Sequence, residues 1–437
     1  MSEFLFDEFD KVSAKRWKQK IQVDLKGADY NETLVWQSNE GINIKPFYHQ
    51  DEYEALEIPQ FTGDTSVCQS IFISDESAAN FLAKDALKRG AHSIEIEASK
   101  PFDLYSVLKD VNLSPTQGSL HFKLHFLNES FLYDLIDKTK DVNVFLNMDL
   151  IGNLAQSGNW FHERLKDHQI LADVIQKSSQ ITNVLSIDTS LYQNAGAHCV
   201  QQIAYGLAHA NEYLNFFISN DVISKEHPRS IQFNFSVGGN YFFEIAKLRA
   251  FRYLWSLLCD EYQLDIEPHL LVKPSLRNKT IYDYNTNMLR TTTECMSALL
   301  GGANTISNSA YDGIYHKKNE FGERIARNQL LILQEESYFK KAASFADGSY
   351  YIEYLTTHLA EKALKVFKSI EKSGGFLKQL LDGTIQRKIS ESAEKEQKLF
   401  DDASEVLLGT NKHPNVHDKM KEELEIYPFV PRKPRKT

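Results

Sequence analysis

The chain has 437 residues, a formal net charge of −10, 42% hydrophobic and 25% charged residues. That length exceeds one ordinary core, so one large barrel or two domains is expected, and the composition is that of a folded soluble protein. The acidic balance argues against nucleic acid as the main partner, because phosphate binding needs a dense cationic face. The short basic end PRKPRKT reads as a solvated tail. Cys68, Cys199, Cys259 and Cys295 form no CxxC pair and read as free thiols of a reducing compartment. The N-terminus lacks a signal-peptide pattern, and no apolar run is long enough to span a membrane, so a cytoplasmic location is expected.

Residues 1–67 form an N-terminal arm, with an amphipathic helix over about 9–25 and four aromatic residues, Trp17, Trp36, Phe47 and Tyr48. The arm either folds onto its own core or packs on a partner subunit. Over 68–375 β-type runs alternate with helical patterns. The runs are SIEIEA (93–98), LHFKLHF (120–126), VNVFLNMD (142–149), VLSIDTS (184–190), SIQFNFSV (230–237), HLLVKPS (269–275) and NTISNSA (304–310), with a weaker eighth near KKAASF. This alternation predicts parallel β/α units, and about eight of them a closed (β/α)8 TIM barrel. FNFSVGGNYFFEIAKLRAFRYLW (233–255) is the clearest unit, placed as strand five with its helix. Phe242, Ile245, Leu248 and Trp255 share helical spacing, and Glu244, Lys247 and Arg252 fall on other faces.

Several strands carry polar residues at alternate positions: Ser186, Asp188 and Ser190; Gln232, Asn234 and Ser236; Thr305, Ser307 and Ser309. Barrel interiors are usually packed with branched aliphatics. The pattern predicts a partly polar bore able to admit an elongated ligand. From Gly348 the chain reads as helix, with Gly374–Gly375 as a stop, and 376–437 forms a helical extension and tail.

No general catalytic motif is present: no GxGxxG after a strand, no GxxxxGK[ST], no GxSxG, no HExxH. His121 and His125 share a strand and His198 and His209 a helix, without the convergence a metal site needs. Glu335–Glu336 reads as a solvated helix face. On these grounds alone the function stays open.

Longer segments carry more. IQVDLKGADYNETLVWQSNEGINIKPFY, LYQNAGAHCVQQIAYGLAHANEYLNFF, NYFFEIAKLRAFRYLW, NMLRTTTECMSALLGG, FGERIARNQLLILQEES, DGSYYIEYLTTHLAEKA and LLGTNKHPN follow one another across most of residues 17–415. Together they resemble the methylmalonyl-CoA mutase family, in particular its small (beta) subunits. The resemblance implies a TIM barrel whose bore holds an acyl-CoA. It implies a heterodimer with a large (alpha) catalytic subunit, towards which the N-terminal arm reaches. It also implies a radical rearrangement between methylmalonyl-CoA and succinyl-CoA, driven by adenosylcobalamin.

The departures from the family pattern matter as much. The D-x-H-x-x-G of the cobalamin domain has no counterpart, and the chain stops where that domain is expected. The R-G-x-x-x-T-M-Y stretch is replaced by IPQFTGDTSVCQSIF, and the arginine-bearing segment before strand four by WFHERLKDHQILADVIQ. The family's Tyr-His before Q-x-A-G reads Ser190–Leu191, and its R-x-H-x-Q at strand six reads His269, Leu271 and Lys273. Leucine for histidine removes both proton transfer and hydrogen bonding. The expectation is therefore a chain with no catalytic, cofactor-binding or metal-ligating residue of its own, adenosylcobalamin being bound by the large subunit. Two rivals are a barrel subunit that borrows cobalamin from a separate chain, and an acyl-CoA sensor.

Overall fold

The computed structural model describes residues 9–61, 63–113, 118–178, 182–223, 230–341, 344–415, 417 and 424–426. The basic tail lies outside them. At the N-terminus α1 (Ala14–Asp24) and α2 (Tyr30–Leu34) precede a small antiparallel hairpin, β1 (Trp36–Gln37) and β2 (Asn43–Ile44). Only Ala14 of α1 is buried. The helix is fixed at its start, where the Ser13 hydroxyl accepts from Arg16 N and the Ala14 amide donates to Asp51 Oδ2 at 2.9 Å.

Eight parallel strands then close into a barrel: β3 (Ser66–Phe72), β4 (Ser93–Ala98), β5 (Leu120–Leu124), β6 (Val144–Met148), β7 (Thr182–Asp188), β8 (Ser230–Val237), β9 (Glu267–Pro274) and β10 (Thr305–Ile306), with β10 pairing back to β3. The helices between them are α3 (Glu76–Lys88), α4 (Leu104–Leu108), α5 (Glu129–Lys138), α6 (Leu150–Ser157), α7 (Arg164–Lys177), α8 (Ser190–Ala195), α9 (Cys199–Ser219), α10 (Tyr241–Tyr262) and α11 (Thr286–Leu300). After β10 come α12 (Glu320–Leu331), α13 (Tyr350–Lys372), α14 (Phe376–Leu381) and α15 (Thr384–Asp401).

The (β/α)8 architecture is the one expected, with one correction. The eighth strand is not at KKAASF, where Phe339–Lys341 forms a short 3-10 turn; it is Ser66–Phe72, the first in chain order. Residues 230–237 are therefore strand six, and His269, Leu271 and Lys273 stand on strand seven. SVCQSIF escapes notice because Ser, Cys and Gln break up its apolar residues.

Outward-facing residues of the strands, such as Ile94, Ile96, Phe122, Leu146, Ile187, Phe233, Phe235 and Val272, join one continuous apolar core with the helices. Phe233 lies 4.6 Å from the Phe251 ring and 4.8 Å from that of Trp255, whose Nε1 donates to Ile266 O. α13 packs over α9 and α10 from outside. This second layer helps to bury the charged residues in the first half of α10, Arg249 meeting Glu353 of α13. Glu244, Lys247, Arg249 and Arg252 are all buried. Lys247 Nζ meets Glu244 and donates to Gln202 Oε1 and Ser236 O, at 2.8 and 2.6 Å. The C-terminal stop of α13 follows from Gly374 and Gly375, at φ +101° and +90°, where a side chain would be strained.

Candidate functional site

Residues that alternate with the apolar outer face point into the bore. Their contacts prove it, because they join strands that are not neighbours. His121 on β5 donates from Nδ1 to Gln232 Oε1 on β8 at 2.8 Å, and Lys273 on β9 meets Glu95 Oε2 on β4 at 2.5 Å. An amide oxygen only accepts, so Nδ1 of His121 carries the proton and Nε2 accepts from Ser119 Oγ.

From the N-terminal end upward, the Ser66, Ser93 and Ser119 hydroxyls form a chain at 2.6 and 2.8 Å that ends on His121. Gln232 passes it on to Asn234 Oδ1 at 2.6 Å. The Phe145 ring then bridges two imidazoles, stacked on His121 at 4.6 Å and 4.2 Å from His269, which bonds Thr305 Oγ1. Above lies the Glu95–Lys273 pair, followed by Glu97 between Lys123 and His125, at 3.1 and 2.8 Å. The bore is thus filled with its own side chains. The elongated ligand expected of a polar bore has no passage, because partners on opposite walls reach one another.

The electrostatics follow from burial and pairing. Burial alone raises the Glu95 carboxyl, but Lys273 and Lys123 outweigh it and hold it down at about 2. Glu97 is lowered in the same way: burial opposes, while His125 and the two lysines prevail. Desolvation pushes His121 down to about 4 and His269 well below the ordinary imidazole value. Asp188 moves the other way, raised by burial against the bond from Ser190.

At the C-terminal mouth a cavity of about 80 Å³ remains, lined among others by Lys123, Asn147, Ser186, Asp188, Leu191 and Asn234. Asn147 sits at an irregularity in the β6–β7 register with φ +49°. Among the described residues, its Oδ1 and the buried Ser186 Oγ have no hydrogen-bond partner.

The positions singled out in the sequence fall as follows. Ser190 opens α8 and donates to Asp188 Oδ1 through its amide at 3.1 Å and through its hydroxyl. Leu191, half-buried, packs against the apolar core at the mouth. His269, Leu271 and Lys273 all face the bore, with Leu271 in register with Asn234 and Thr305. Ser186, Asn234 and Ser236 also lie on bore-facing positions of their strands, whereas Ser307 and Ser309 fall beyond the end of β10. Sequence reading missed Glu95, Glu97, Lys123 and the role of His121. Their signal was the period-two charge in SIEIEA and LHFKLHF.

The match to known proteins is extensive. The family model described as methylmalonyl-CoA mutase matches residues 137–435. The methylmalonyl-CoA mutase small subunit of Porphyromonas gingivalis is 33% identical over 94% of this chain and 71% of its own length. This chain belongs to the methylmalonyl-CoA mutase family. The methylmalonyl-CoA mutases of Rhizobium meliloti and Cereibacter sphaeroides are 34% and 28% identical, each over 91% of this chain and 64% of the relative. The chain thus spans somewhat under two thirds of those two mutases.

The mutase family generally depends on adenosylcobalamin. The residues at this mouth do not fit that group. A corrin with its adenosyl arm and a thioester needs far more room than about 80 Å³. The neighbouring imidazoles are already committed, His125 to Glu97 and buried His209 to Asp149 and the Tyr192 hydroxyl. Among the described residues no group of three or more His, Cys, Asp or Glu is placed to hold a metal ion, and no helix is long and apolar enough to cross a membrane.

Proposed function

We propose that this chain is the non-catalytic small (beta) subunit of a heterodimeric, adenosylcobalamin-dependent methylmalonyl-CoA mutase. Its role is to stabilise the large catalytic subunit, which binds the cobalamin and performs the isomerisation of methylmalonyl-CoA and succinyl-CoA. The observation that carries this reading is the bore, crossed by His121–Gln232 and Glu95–Lys273 where an acyl-CoA would have to pass. Leucine at 191 and 271 supports it further, since neither side chain can move a proton or bond a carbonyl. The arm, residues 1–67, supplies exposed aromatic surface for the partner, with Trp17 44% and Trp36 54% exposed.

The test is co-expression with a chain that carries a D-x-H-x-x-G cobalamin domain. A 1:1 complex is expected, with mutase activity tracking the large chain and its thermal stability raised by the small one. The isolated chain with adenosylcobalamin should turn over no methylmalonyl-CoA, and calorimetry should detect no acyl-CoA binding. Turnover by the isolated chain with any free-standing cobalamin domain would overturn the proposal in favour of a catalytic barrel. Tight acyl-CoA binding without turnover would replace it with the sensor reading.

A further inference from the structure

The cavity of about 80 Å³ at the mouth is bounded by strands β4 to β8 and by the segments that follow β5, β6 and β7, all among the described residues. Its polar wall comes from three neighbouring strands. Asn147 stands on β6, Ser186 and Asp188 share one face of β7, and Asn234 on β8 is in register with Asp188.

The charges around this cavity do not cancel. Four carboxylates, Glu95, Glu97, Asp149 and Asp188, stand against two lysines: Lys273 pairs with Glu95, and Lys123 with Glu97. Both imidazoles are taken as well, His125 by Glu97 and His209 by Asp149. Among the described residues, Asp188 is the one carboxylate of the four with no cation within ion-pair distance. Its Oδ1 accepts from the Ser190 amide and hydroxyl, and its Oδ2 accepts no hydrogen bond from those residues. Burial raises the Asp188 carboxyl above its ordinary value, against the Ser190 bond and the more distant Lys123. Two more oxygens in the same wall are idle. Ser186 is 0% exposed, yet its Oγ and the Oδ1 of Asn147 have no partner among the described residues. A buried polar atom left unpaired is costly. Asn147 also holds φ +49° where the β6–β7 register breaks, backbone strain of the kind retained at ligand sites.

We propose that this cavity binds one monovalent cation, held by the Asp188 carboxylate, Ser186 Oγ and Asn147 Oδ1. A cation fits better than water alone, which would bond the oxygens but leave a buried charge uncompensated. One charge fits better than two, because a single carboxylate is unpaired and divalent ions draw on several. A transition metal is disfavoured, since the lining offers no thiolate and no uncommitted imidazole. Neutral and anionic oxygens in place of a hydration shell are what an alkali cation needs. The volume is that of two or three waters at about 30 Å³ each, room for the ion and a water but not for a quaternary ammonium. The site does not depend on the subunit role proposed above and is tested on this chain alone.

The experiment uses the full chain in tetramethylammonium chloride, replaced stepwise by potassium chloride at constant ionic strength and followed by thermal unfolding. Potassium should raise Tm saturably. Asp188→Asn keeps an oxygen for Ser190 but removes the charge. It should abolish the potassium response and raise Tm in tetramethylammonium, whereas a merely structural Asp188 would lower Tm on substitution. Ser186→Ala should weaken potassium binding about tenfold. Crystals grown in rubidium chloride should show an anomalous peak between Asp188 and Asn147. If Asp188→Asn does not fold, Ser186→Ala and the rubidium peak decide. A Tm independent of potassium, a potassium response undiminished in either variant, or water alone at the site in rubidium would each overturn the proposal.

Discussion

The bore and the N-terminal arm reverse the usual distribution of polar and apolar groups. The bore is buried over its lower layers yet lined with Ser, His, Gln, Glu and Lys side chains that find one another across the barrel. The arm is open to solvent yet displays aromatics: Trp17 stacks on Phe47 at 4.2 Å and Trp36 meets Phe243 edge-on at 6.2 Å, each indole remaining about half exposed. The polar interior satisfies most of its own groups, with Ser186 Oγ and Asn147 Oδ1 at the mouth the exceptions. An apolar surface held on its own scaffold has an unfilled requirement. The contrast is what the proposed subunit role rests on.

The largest expected effect comes from breaking the bore. Lys273→Met leaves the Glu95 carboxylate buried and unpaired and should cost about 3–5 kcal/mol in urea unfolding. Glu95→Gln with Lys273→Met should recover most of that, as a double-mutant cycle would show. A single-mutant loss under about 1 kcal/mol would break the contrast, because the interior would then be open to water.

Acid is the next probe. His121 is held at about 4 in the fold against an ordinary 6.5, so the unfolded chain binds more protons between those values and stability falls as pH drops through that window. Its share is full above about 6.5 and amounts to roughly 3 kcal/mol. Glu95, lowered from 4.5 to about 2, adds a second loss as pH falls below 4.5. His121→Asn should shrink the first decline in urea midpoints between pH 7 and 4, leaving the share carried by His269, and leave the second.

The smallest effect on the chain itself belongs to the arm. Trp17→Ala and Trp36→Ala should each change its own stability by under about 0.5 kcal/mol. The same substitutions should weaken association with the proposed large subunit by about tenfold or more, read by surface binding or analytical ultracentrifugation. Equal affinity in both variants would move the interface elsewhere.

Much of this was legible in the sequence. Period-two strands and 3.6-residue helices determined the barrel, Gly374–Gly375 the end of α13, and the polar alternation of Gln232, Asn234 and Ser236 the bore-facing side of β8, because these are local properties of the backbone. The family was legible as well, in segments spread over most of the chain. The first strand was not, since Ser66–Phe72 earns its place only by closing the ring between β10 and β4. Nor was it legible that α10 would bury Glu244, Lys247, Arg249 and Arg252, because their partners lie far along the chain, on α9, β8, α13 and the segments at β9 and β10. Whether a polar bore is an open channel or a filled one also lay beyond the sequence. Glu95 and Lys273 are 178 residues apart, and only barrel closure brings them to 2.5 Å.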